Sequence, residues 1–307
     1  MSVVVFGSIN MDLIVRTPRL PLPGETLIGR TFFTAPGGKG ANQAVACARL
    51  GTRTYMVGQV GDDVFGPTLL ENLRTYGVDT GSVVSCHDEP SGVALIEVDD
   101  AAENRIIVVS GANGSVGEGS LSRLSDLLKD AQVLLMQLEV PLESVVKAAK
   151  LAHTDGVMAI LDPAPAQPLP PDLYAILDVI TPNQSEAGLL VGFPVETPDD
   201  ARRAAEVLRS RGVTKVIIKM GALGVYWLDE QGREFYPAFK VAAIDTIGAG
   251  DAFNGGFAAA IADGRPIREA LTWGQAAGAL SATKAGAQPS MPDRAALLDL
   301  IQRPAKA

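Results

Sequence analysis

The sequence predicts an α/β protein, a three-layer sandwich in which a mostly parallel central sheet carries helices on both faces and a small β-sheet forms a lid. Short apolar runs that end in Gly, Asn, Asp or Pro alternate with segments of helical period, a pattern typical of parallel sheets covered on both sides. Two other stretches have β-type patterns with no helix between them. The composition, 47% hydrophobic and 20% charged, indicates a globular chain with a substantial core.

Continuous apolar runs of strand length predict the buried strands of the central sheet. These runs are residues 3–6, 133–136, 157–161, 175–180 and 216–218. Segments of helical period predict the covering helices. These segments are residues 40–50, 120–129, 142–153, 199–211 and 252–262.

The predicted lid comes from residues 12–33 and 91–109, the two stretches with β-type patterns. The second stretch predicts a hairpin with arms at 92–98 and 105–109, joined by the polar, turn-rich loop 99–104. No low-complexity segment, fixed repeat or long linker interrupts the sequence. We therefore expect a single domain over residues 1–307 with this lid attached.

The charge and cysteine content indicate a cytoplasmic protein with small-molecule partners. A net charge of −9 gives no general reason to bind nucleic acid or an anionic membrane, since both need clustered Lys and Arg. Cys47 and Cys86 are too few for a disulfide framework and form no C-x-x-C pair, which favours a reducing compartment. The N-terminus has no basic segment before its short apolar run, so neither a signal peptide nor a membrane span is expected.

The most informative motif is the Gly-rich turn at residues 248–250, which leads into a predicted helix with Asp251 in its first turn. Helix N-termini bind anions through free N–H groups, and glycines let a phosphate approach the backbone. A carboxylate beside such a site can accept the proton of an attacking hydroxyl. The alternative is purely structural: Asp251 favours the helix dipole and the glycines make a turn.

Other nucleotide and hydrolase signatures fail. A P-loop would need Gly five residues before Gly38 and Ser or Thr after Lys39, but the chain has Phe33 and Gly40 there. The dinucleotide fingerprint lacks its third Gly, because Phe253 stands there, and the protein-kinase motif set is absent. The two histidines, His87 and His153, stand at neither metal nor triad spacing, which disfavours a zinc site or a Ser-His-Asp hydrolase.

A second Gly-rich segment, residues 37–40, encloses Lys39 and precedes Asn42 at the start of a predicted helix. Backbone donors, a cation and an amide at one place are what a polar ligand such as a sugar requires. The alternative is a solvated turn in which Asn42 caps the helix.

Polar residues follow several of the predicted strands, where open α/β sheets bind ligands. Asn10 and Asp12 follow the first strand, and Glu139 follows the strand at 133–138. Each of them has an alternative interpretation as an ordinary strand-end group. Asn183 and Glu186 have the spacing of a helix capping box, and the same pair also suits Mg²⁺ and its waters near a phosphate.

Further motifs accompany these in a fixed order: GSIN (7–10) with Asp12, PGET (23–26), GGKGANQA (37–44), GDD (61–63), SGVALI (91–96), GAN (111–113), MQLE (136–139), DPAPA (162–166), TPN (181–183), DTIGAGD (245–251) and GAQPS (286–290). In this combination, and over essentially its whole length, the chain resembles the PfkB carbohydrate kinase family, and within it the ribokinases. The resemblance implies a ribokinase-like (Rossmann-like) fold and an ATP-dependent kinase that transfers phosphate to O5 of D-ribose.

The resemblance also implies site residues. Asp251 would be the catalytic base, with Gly248, Ala249 and Gly250 forming the anion hole. Ribose would be held by Asn10, Asp12, Gly38, Lys39, Asn42, Glu139 and Asp251. ATP would lie against Asn183, Lys219, Gly221, Gly224, Gly250 and Gln275, although the family position that matches Gln275 is often Asn or His.

Two cations and a dimer complete what the resemblance implies. Glu186 would organise Mg²⁺ through water. An activating K⁺ would be held, largely by carbonyl oxygens, at Asp245, Ile247, Ser281, Lys284, Gly286 and Ser290. The lid commonly pairs two subunits in this family, so a homodimer is expected.

Two alternatives stay open from the sequence. One is another kinase of the same family, acting on deoxyribose, fructose or a nucleoside, although Asp12 and Asn42 favour a small hydroxyl-rich sugar. The other is a sugar-binding protein that kept the fold and lost catalysis. The intact 248–251 motif argues against it.

Overall fold

The computed structural model describes residues 1–101 and 104–303. The strands in this part of the chain are β1 (Ser2–Phe6), β2 (Asn10–Arg16), β3 (Thr31–Gly37), β4 (Arg53–Gly61), β5 (Val78–Cys86), β6 (Gly92–Val98), β7 (Asn104–Val109), β8 (Val133–Met136), β9 (Met158–Leu161), β10 (Val179–Ile180), β11 (Lys215–Lys219), β12 (Gly224–Leu228) and β13 (Arg233–Pro237). The α-helices are α1 (Lys39–Arg49), α2 (Gly66–Thr75), α3 (Glu118–Leu128), α4 (Leu142–Asp155), α5 (Pro171–Ile176), α6 (Gln184–Val191), α7 (Pro198–Ser210), α8 (Ala249–Ala262), α9 (Ile267–Ser281) and α10 (Arg294–Gln302).

The strands form two sheets. The larger sheet has the order β13-β12-β11-β10-β9-β8-β1-β4-β5; its pairs are parallel except for β11 with β12 and β12 with β13. The smaller sheet has the order β3-β2-β6-β7, with β2 parallel to β6 and the outer pairs antiparallel. The predicted α/β fold with a mostly parallel central sheet is confirmed.

The first strand shows why the central sheet is covered on both faces. All five residues of β1 are buried, and successive side chains of a strand point to opposite faces. Val3 and Val5 therefore join the hydrophobic cluster that contains α1, α8 and α9. Val4 and Phe6 join the cluster that contains α3, α4 and α7. This gives the three layers that the sequence predicts.

One predicted strand is wrong over most of its length. The apolar run at residues 175–180 predicts a strand, but α5 ends at Ile176 and, within this run, only Val179 and Ile180 pair in the sheet. Pro171 stands at the first turn of α5, where its missing N–H costs nothing. The apolar residues after it belong to a buried helix end and a short strand, which periodicity cannot separate.

The lid stretches form the smaller sheet with one large interruption. The hairpin is confirmed as β6 and β7 in antiparallel pairing, while residues 102 and 103 of its predicted loop lie outside the described residues. In the first stretch, β2 ends at Arg16 and β3 begins at Thr31. The chain between them contains Pro18, Pro21 and Pro23, which cannot donate to a strand ladder.

Candidate active site

A cavity of about 970 Å³ lies between the loops that follow β9, β10 and β11 and the helices α8 and α9. Open α/β sheets bind ligands at this position, beyond the carboxyl ends of the strands. The residues assigned to ATP all line this one cavity: Asn183, Lys219, Gly221, Gly224, Gly250 and Gln275. Glu186, assigned to Mg²⁺, lines it as well.

The N-terminus of α8 forms part of the cavity wall, with Gly248, Ala249 and Gly250 among the lining residues. Gly248 is the N-cap, without a side-chain cap, and its φ of 76° lies in the left-handed region that favours glycine. A Cβ at Gly248 would also lie 3.1 Å from Ala287. The N–H of Ala249 donates to the Thr246 carbonyl at 3.2 Å. Because the first N–H groups of a helix generally lack an intrahelical acceptor, the N–H groups beside it can serve as donors to an anion in the cavity.

Asp251 lies in the first turn of α8 and is only 6% exposed. Its carboxylate oxygens accept hydrogen bonds from the side-chain amides of Asn42, at 3.0 Å, and Gln43, at 3.1 Å. Burial raises the pKa of Asp251, the nearby Lys39 lowers it, and the charge of Asp162 raises it again, so that the pKa lies above its ordinary value. A carboxylate with a raised pKa is the form of base that accepts a proton from an alcohol most readily.

Glu139 contacts two other residues assigned to the sugar, Lys39 and Asn10, and also Ser8. Its Oε2 accepts hydrogen bonds from the backbone N–H of Lys39 at 3.1 Å and from the Ser8 hydroxyl at 2.6 Å. The Asn10 amide lies at 3.5 Å from the same oxygen. Gly38 fits beside them only as glycine, because its φ is 90° and a Cβ would lie 2.7 Å from the backbone nitrogen of Asn10.

Asp12 belongs to the smaller sheet but is electrostatically part of this group. Burial, then the charges of Glu139 and Asp251, raise the pKa of Asp12 to about 7. A Cβ at Gly37, the residue beside Lys39's loop, would lie 2.3 Å from the Asp12 carboxylate. The smaller sheet therefore brings the Asp12 carboxylate beside the residues that precede α1.

Lys39 is the cation at the centre of these acids. Burial lowers its pKa, but the charges of Asp251, Asp162, Glu139 and Glu186 raise it more, and the pKa lies above its ordinary value. Lys39 also lines the cavity. The structure thus brings residues assigned to the sugar and residues assigned to the nucleotide to one place, where the ammonium group of Lys39 balances several carboxylates.

The sequence assigns no role to two residues that the structure places in the site, Asp162 and Gln43. Asp162, which follows β9, is 2% exposed, lines the cavity and accepts a hydrogen bond from Lys219 at 2.8 Å. Its position after a buried strand is the signal that singled out Asn10 and Glu139. Gln43 shows no such signal, because it lies inside helix α1 and not directly after a strand or a Gly-rich turn.

Asn183 and Glu186 form the predicted capping box at the start of α6. The backbone N–H of Asn183 donates to Glu186 at 2.7 Å, and the N–H of Glu186 donates to the Asn183 side chain at 2.8 Å. Burial, then Asp162, raise the pKa of Glu186, while Lys219 lowers it; the pKa is raised overall. Asn183 and Glu186 therefore cap helix α6 and also line the cavity.

The remaining predicted nucleotide contact, Gln275, lies on α9. Its Nε2 donates to the backbone oxygens of Tyr236, at 2.9 Å, and Pro237, at 3.3 Å. These bonds tie α9 to the end of β13 at the rim of the cavity. The side chain therefore acts first as a structural link at the place where the sequence assigns a nucleotide contact.

The residues assigned to K⁺ lie on two segments that meet beside the start of α8. The Asp245 carboxylate accepts hydrogen bonds from the N–H of Ile247 at 2.9 Å and of Gly286 at 2.8 Å. The buried hydroxyls of Ser281 and Ser290 lie 2.6 Å apart, and the N–H of Lys284 donates to the Ser281 carbonyl at 3.1 Å. Within residues 1–101 and 104–303 no three His, Cys, Asp or Glu side chains form a metal-binding group.

Comparison with known protein families identifies the family of this chain. A family model described as "pfkB family carbohydrate kinase" matches residues 1–294. The chain belongs to the pfkB family. This assignment agrees with the position of the cavity at the start of α8, where the Gly-rich turn of the sequence motif lies.

Relatives and solved structures of the pfkB family agree along nearly the whole chain. The chain is 41% identical to a ribokinase of Haemophilus influenzae over 301 residues, 98% of each protein, and 38% identical to a deoxyribokinase of Salmonella typhi over 293 residues, 95% of this chain and 96% of that protein. The structure of Arabidopsis thaliana ribokinase complexed with ribose and ATP matches with a TM-score of 0.91 at 34% identity, covering 99% of each chain.

Among the residues that the structure describes, no helix combines the length and apolar character needed to cross a membrane.

Proposed function

We propose that this chain is a ribokinase, which transfers the γ-phosphoryl group of ATP to O5 of D-ribose and releases D-ribose 5-phosphate and ADP. One observation carries the proposal beyond the likeness to relatives. Asp251 is buried at the N-terminus of α8, lines the cavity, and has both carboxylate oxygens held by amides. The base and the anion-binding turn therefore adjoin each other.

Ribose lies on the sugar side of Asp251. Acceptors come from the carboxylates of Asp12 and Glu139, and donors from Lys39 and the amides of Asn10 and Asn42; Gly38 leaves room for the backbone to approach. Support comes from the hydrogen bonds that join Glu139 to Lys39 and Asn10 and from the amide of Asn42 on Asp251. Such paired polar groups select a ligand rich in hydroxyls.

The ribose O5 attacks the γ-phosphorus in line with the bond to the departing ADP. The new O5–P bond forms as the bond between γ-phosphorus and the bridging oxygen breaks, and ADP carries away that electron pair. Asp251 accepts the O5 proton late in the step. The N–H groups at Gly248 to Gly250 stabilise the negative charge on the transferred phosphoryl oxygens.

ATP occupies the cavity, against Asn183, Lys219, Gly221, Gly224, Gly250 and Gln275. Lys219 supplies a positive charge to the cavity wall. Its ammonium group lies close to the first turn of α8, since a Cβ at Gly250 would lie 3.6 Å from Lys219 Nζ. Phosphate oxygens bound at that turn are therefore within its reach.

The acids around the cavity suit a hydrated divalent cation. Mg²⁺ keeps several waters and takes one or two carboxylates in addition to substrate phosphates, and Glu186, whose pKa is raised by burial and by Asp162, would hold it through water. When bound, Mg²⁺ would neutralise charge on the ATP phosphates.

A monovalent cation, K⁺, would lie between residues 245–247 and 281–290, held by Asp245, Ile247, Ser281, Lys284, Gly286 and Ser290. The donors there are carboxylate, hydroxyl and carbonyl oxygens, the ligands that suit a hard cation. Because both segments adjoin Gly248, a cation there would support the positive end of α8 indirectly, by fixing the turn.

The smaller sheet acts as a lid on one domain and as a homodimer contact. Several of its apolar side chains are exposed, among them Phe32, Ile106 and Ile107, and contiguous exposed apolar surface marks an interaction site. Light scattering of the purified protein tests the dimer.

We propose a cytoplasmic location, because both cysteines are free thiols and suit a reducing compartment.

A kinase for 2-deoxyribose is the second candidate, favoured by the 38% identity to a deoxyribokinase over 293 residues. Fructose and nucleosides are further acceptors within the family. A binding protein without catalysis is disfavoured by the intact turn at residues 248–251.

The test is the rate of ADP release with MgATP and K⁺ in the presence of D-ribose, 2-deoxyribose, fructose, adenosine or no acceptor. We expect ribose to be preferred and the rate without sugar to be low, because lid closure excludes water. Preference for another acceptor would transfer the proposal to that substrate. Ribose binding without ADP release from any acceptor would favour the non-catalytic alternative.

A further inference from the structure

Gln43 joins two buried carboxylates that belong to opposite sides of the site. It is fully buried on α1, and its Nε2 lies 3.1 Å from Asp251 Oδ1 and 2.9 Å from Asp162 Oδ2. Ionised carboxylates only accept hydrogen bonds. The amide nitrogen of Gln43 must therefore face both of them, since its oxygen would be repelled there.

A second glutamine fixes this orientation from behind. Gln137 Nε2 donates to Gln43 Oε1 at 2.6 Å, and both side chains are fully buried. Rotation of the Gln43 amide by 180° would place its carbonyl oxygen against both carboxylates and its NH₂ group against the NH₂ group of Gln137. The Gln137 contact thus keeps the donors of Gln43 on Asp251 and Asp162.

The other oxygen of Asp162 extends this connection to the nucleotide side. Asp162 Oδ1 lies 2.8 Å from Lys219 Nζ, and Lys219 lines the cavity. A continuous series of hydrogen bonds therefore runs from Asp251 through Gln43 and Asp162 to Lys219.

We propose that Gln43 is a positioning residue for phosphoryl transfer, which holds the carboxylate of Asp251 in register with the Asp162–Lys219 pair through one shared amide. This inference rests on the proposed function. Without the shared donor, Asp251 keeps the Asn42 amide but loses the contact that fixes its second oxygen. Two carboxylates then face each other across the vacated position without a hydrogen-bond donor between them.

The charged groups around Asp251 set the sign of the pH effect. Lys39 from α1 favours the ionised form, whereas Asp162 after β9 and Asp12 on β2 disfavour it. The Gln43 amide also favours the ionised form, because it donates to the carboxylate. Removing it should raise the pH at which Asp251 becomes able to accept a proton.

The test is Gln43→Met, which keeps the length of the side chain and removes its hydrogen bonds. We expect kcat for ribose to fall about 10- to 100-fold, KM for ribose to change less than about threefold, and the acidic limb of the pH profile of kcat to move to higher pH. A purely structural role would lower the melting temperature but leave that limb in place.

Gln59→Met is the matched control. Gln59 is also a buried glutamine, and its amide donates to Ser115 and Ser120 outside the cavity. Its variant should keep the parent's pH profile. Should Gln43→Met fail to fold, Gln137→Met releases the same amide orientation and should move kcat and the acidic limb in the same direction.

A folded Gln43→Met protein with the parent's kcat and acidic limb would overturn the positioning role alone, and so would a parent-like Gln137→Met where the first variant cannot be purified. A parent protein that releases no ADP with any sugar would overturn the proposed function, and this inference with it. The activity of the parent distinguishes the two failures.

Discussion

Lys219 Nζ lies 2.8 Å from Asp162 Oδ1, and 11% and 3% of the two side chains are exposed. A pair this well buried differs from the salt bridges on the surface of the same protein. Lys129 and Asp126 are also 2.8 Å apart, but their side chains are 67% and 76% exposed. Removing one partner leaves an unpaired charge buried in the protein only for Lys219 and Asp162, because water solvates the charge that remains at Lys129 or Asp126.

We therefore expect Lys219→Met to lower the free energy of unfolding by about 3–5 kcal/mol and to raise KM for ATP more than KM for ribose. Lys129→Met, the control, should cost less than about 1 kcal/mol. Urea unfolding gives both values, and Asp162→Asn combined with Lys219→Met should recover part of the loss. Equal effects of the two lysine variants would contradict the burial argument.

Asp251→Asn should separate binding from turnover. The amide keeps the shape of the side chain but cannot accept the proton of O5, so kcat should fall about 10²- to 10⁴-fold while the dissociation constant of ribose, measured by calorimetry, stays within about threefold. Asp229→Asn is a suitable control, because Asp229 is also buried but accepts N–H bonds of the turn before β13. An unchanged kcat in Asp251→Asn would remove the residue from the role of base.

The sequence predicted the layers of the fold better than their ends. Alternating apolar runs and helical segments specify a covered parallel sheet, because each pattern must bury its own face. The misassigned strand at 175–180 fails for a local reason: a buried helix end and a two-residue strand are both continuously apolar. Only pairing with β9 and β11 decides between them.

The sequence predicted those site residues that directly follow a strand or a Gly-rich turn. Glu139 stands after a strand and Asp251 after a Gly-rich turn, and the structure places both beside Lys39. Asn42 is different: its sequence position also suits a helix cap, but Gly38 is the N-cap of α1 and the Asn42 side chain donates to Asp251. Gln43 shows the limit, since its partners lie 94 to 208 positions away in the chain, and no local spacing predicts such contacts.

Gly40→Ala should destabilise the start of α1. A Cβ at Gly40 would lie 2.6 Å from the Ser8 nitrogen and 2.7 Å from the Gly7 carbonyl carbon, and backbone atoms cannot move aside as a flexible side chain would. We expect a loss of about 1–3 kcal/mol in thermal unfolding. Gly119→Ala, at an exposed position of helix α3 where a Cβ would have nothing within 4 Å, should instead gain about 0.5–1 kcal/mol. A loss there of similar size would show that the effect is general.

Asp245→Asn tests the cation proposal. The substitution removes the charge and leaves one acceptor oxygen in place of the two that bond the N–H groups of Ile247 and Gly286. The K⁺ concentration for half-maximal activation should rise about tenfold or more, with kcat at saturating K⁺ less affected. Asp299→Asn, an exposed partner of Arg303, provides the control. A parent that is equally active with and without K⁺ would remove the cation from the mechanism.

Asp12 should make ribose binding depend on pH near neutrality. Its pKa is raised from 3.8 to about 7 by burial and by the charges of Glu139 and Asp251, so it is protonated at pH 6 and ionised at pH 8. Sugar hydroxyls donate best to the ionised carboxylate. The dissociation constant of ribose should therefore fall up to about tenfold between pH 6 and 8 in the parent, and much less in Asp12→Asn.

The same group should have the opposite effect on stability. The folded protein binds the Asp12 proton more tightly than the unfolded chain does. Ionisation of Asp12 therefore lowers the free energy of unfolding as the pH rises from about 4 to about 7, and above pH 7 this loss of stability is complete. Asp12→Asn removes that cost. The unfolding free energy of the variant relative to the parent should consequently increase from pH 4 to pH 7 and then level off, measured by urea unfolding in parallel buffers. If both proteins keep the same difference at every pH, the Asp12 carboxyl is ionised at its ordinary pKa, and the pH dependence of ribose binding must arise at Asp251 instead.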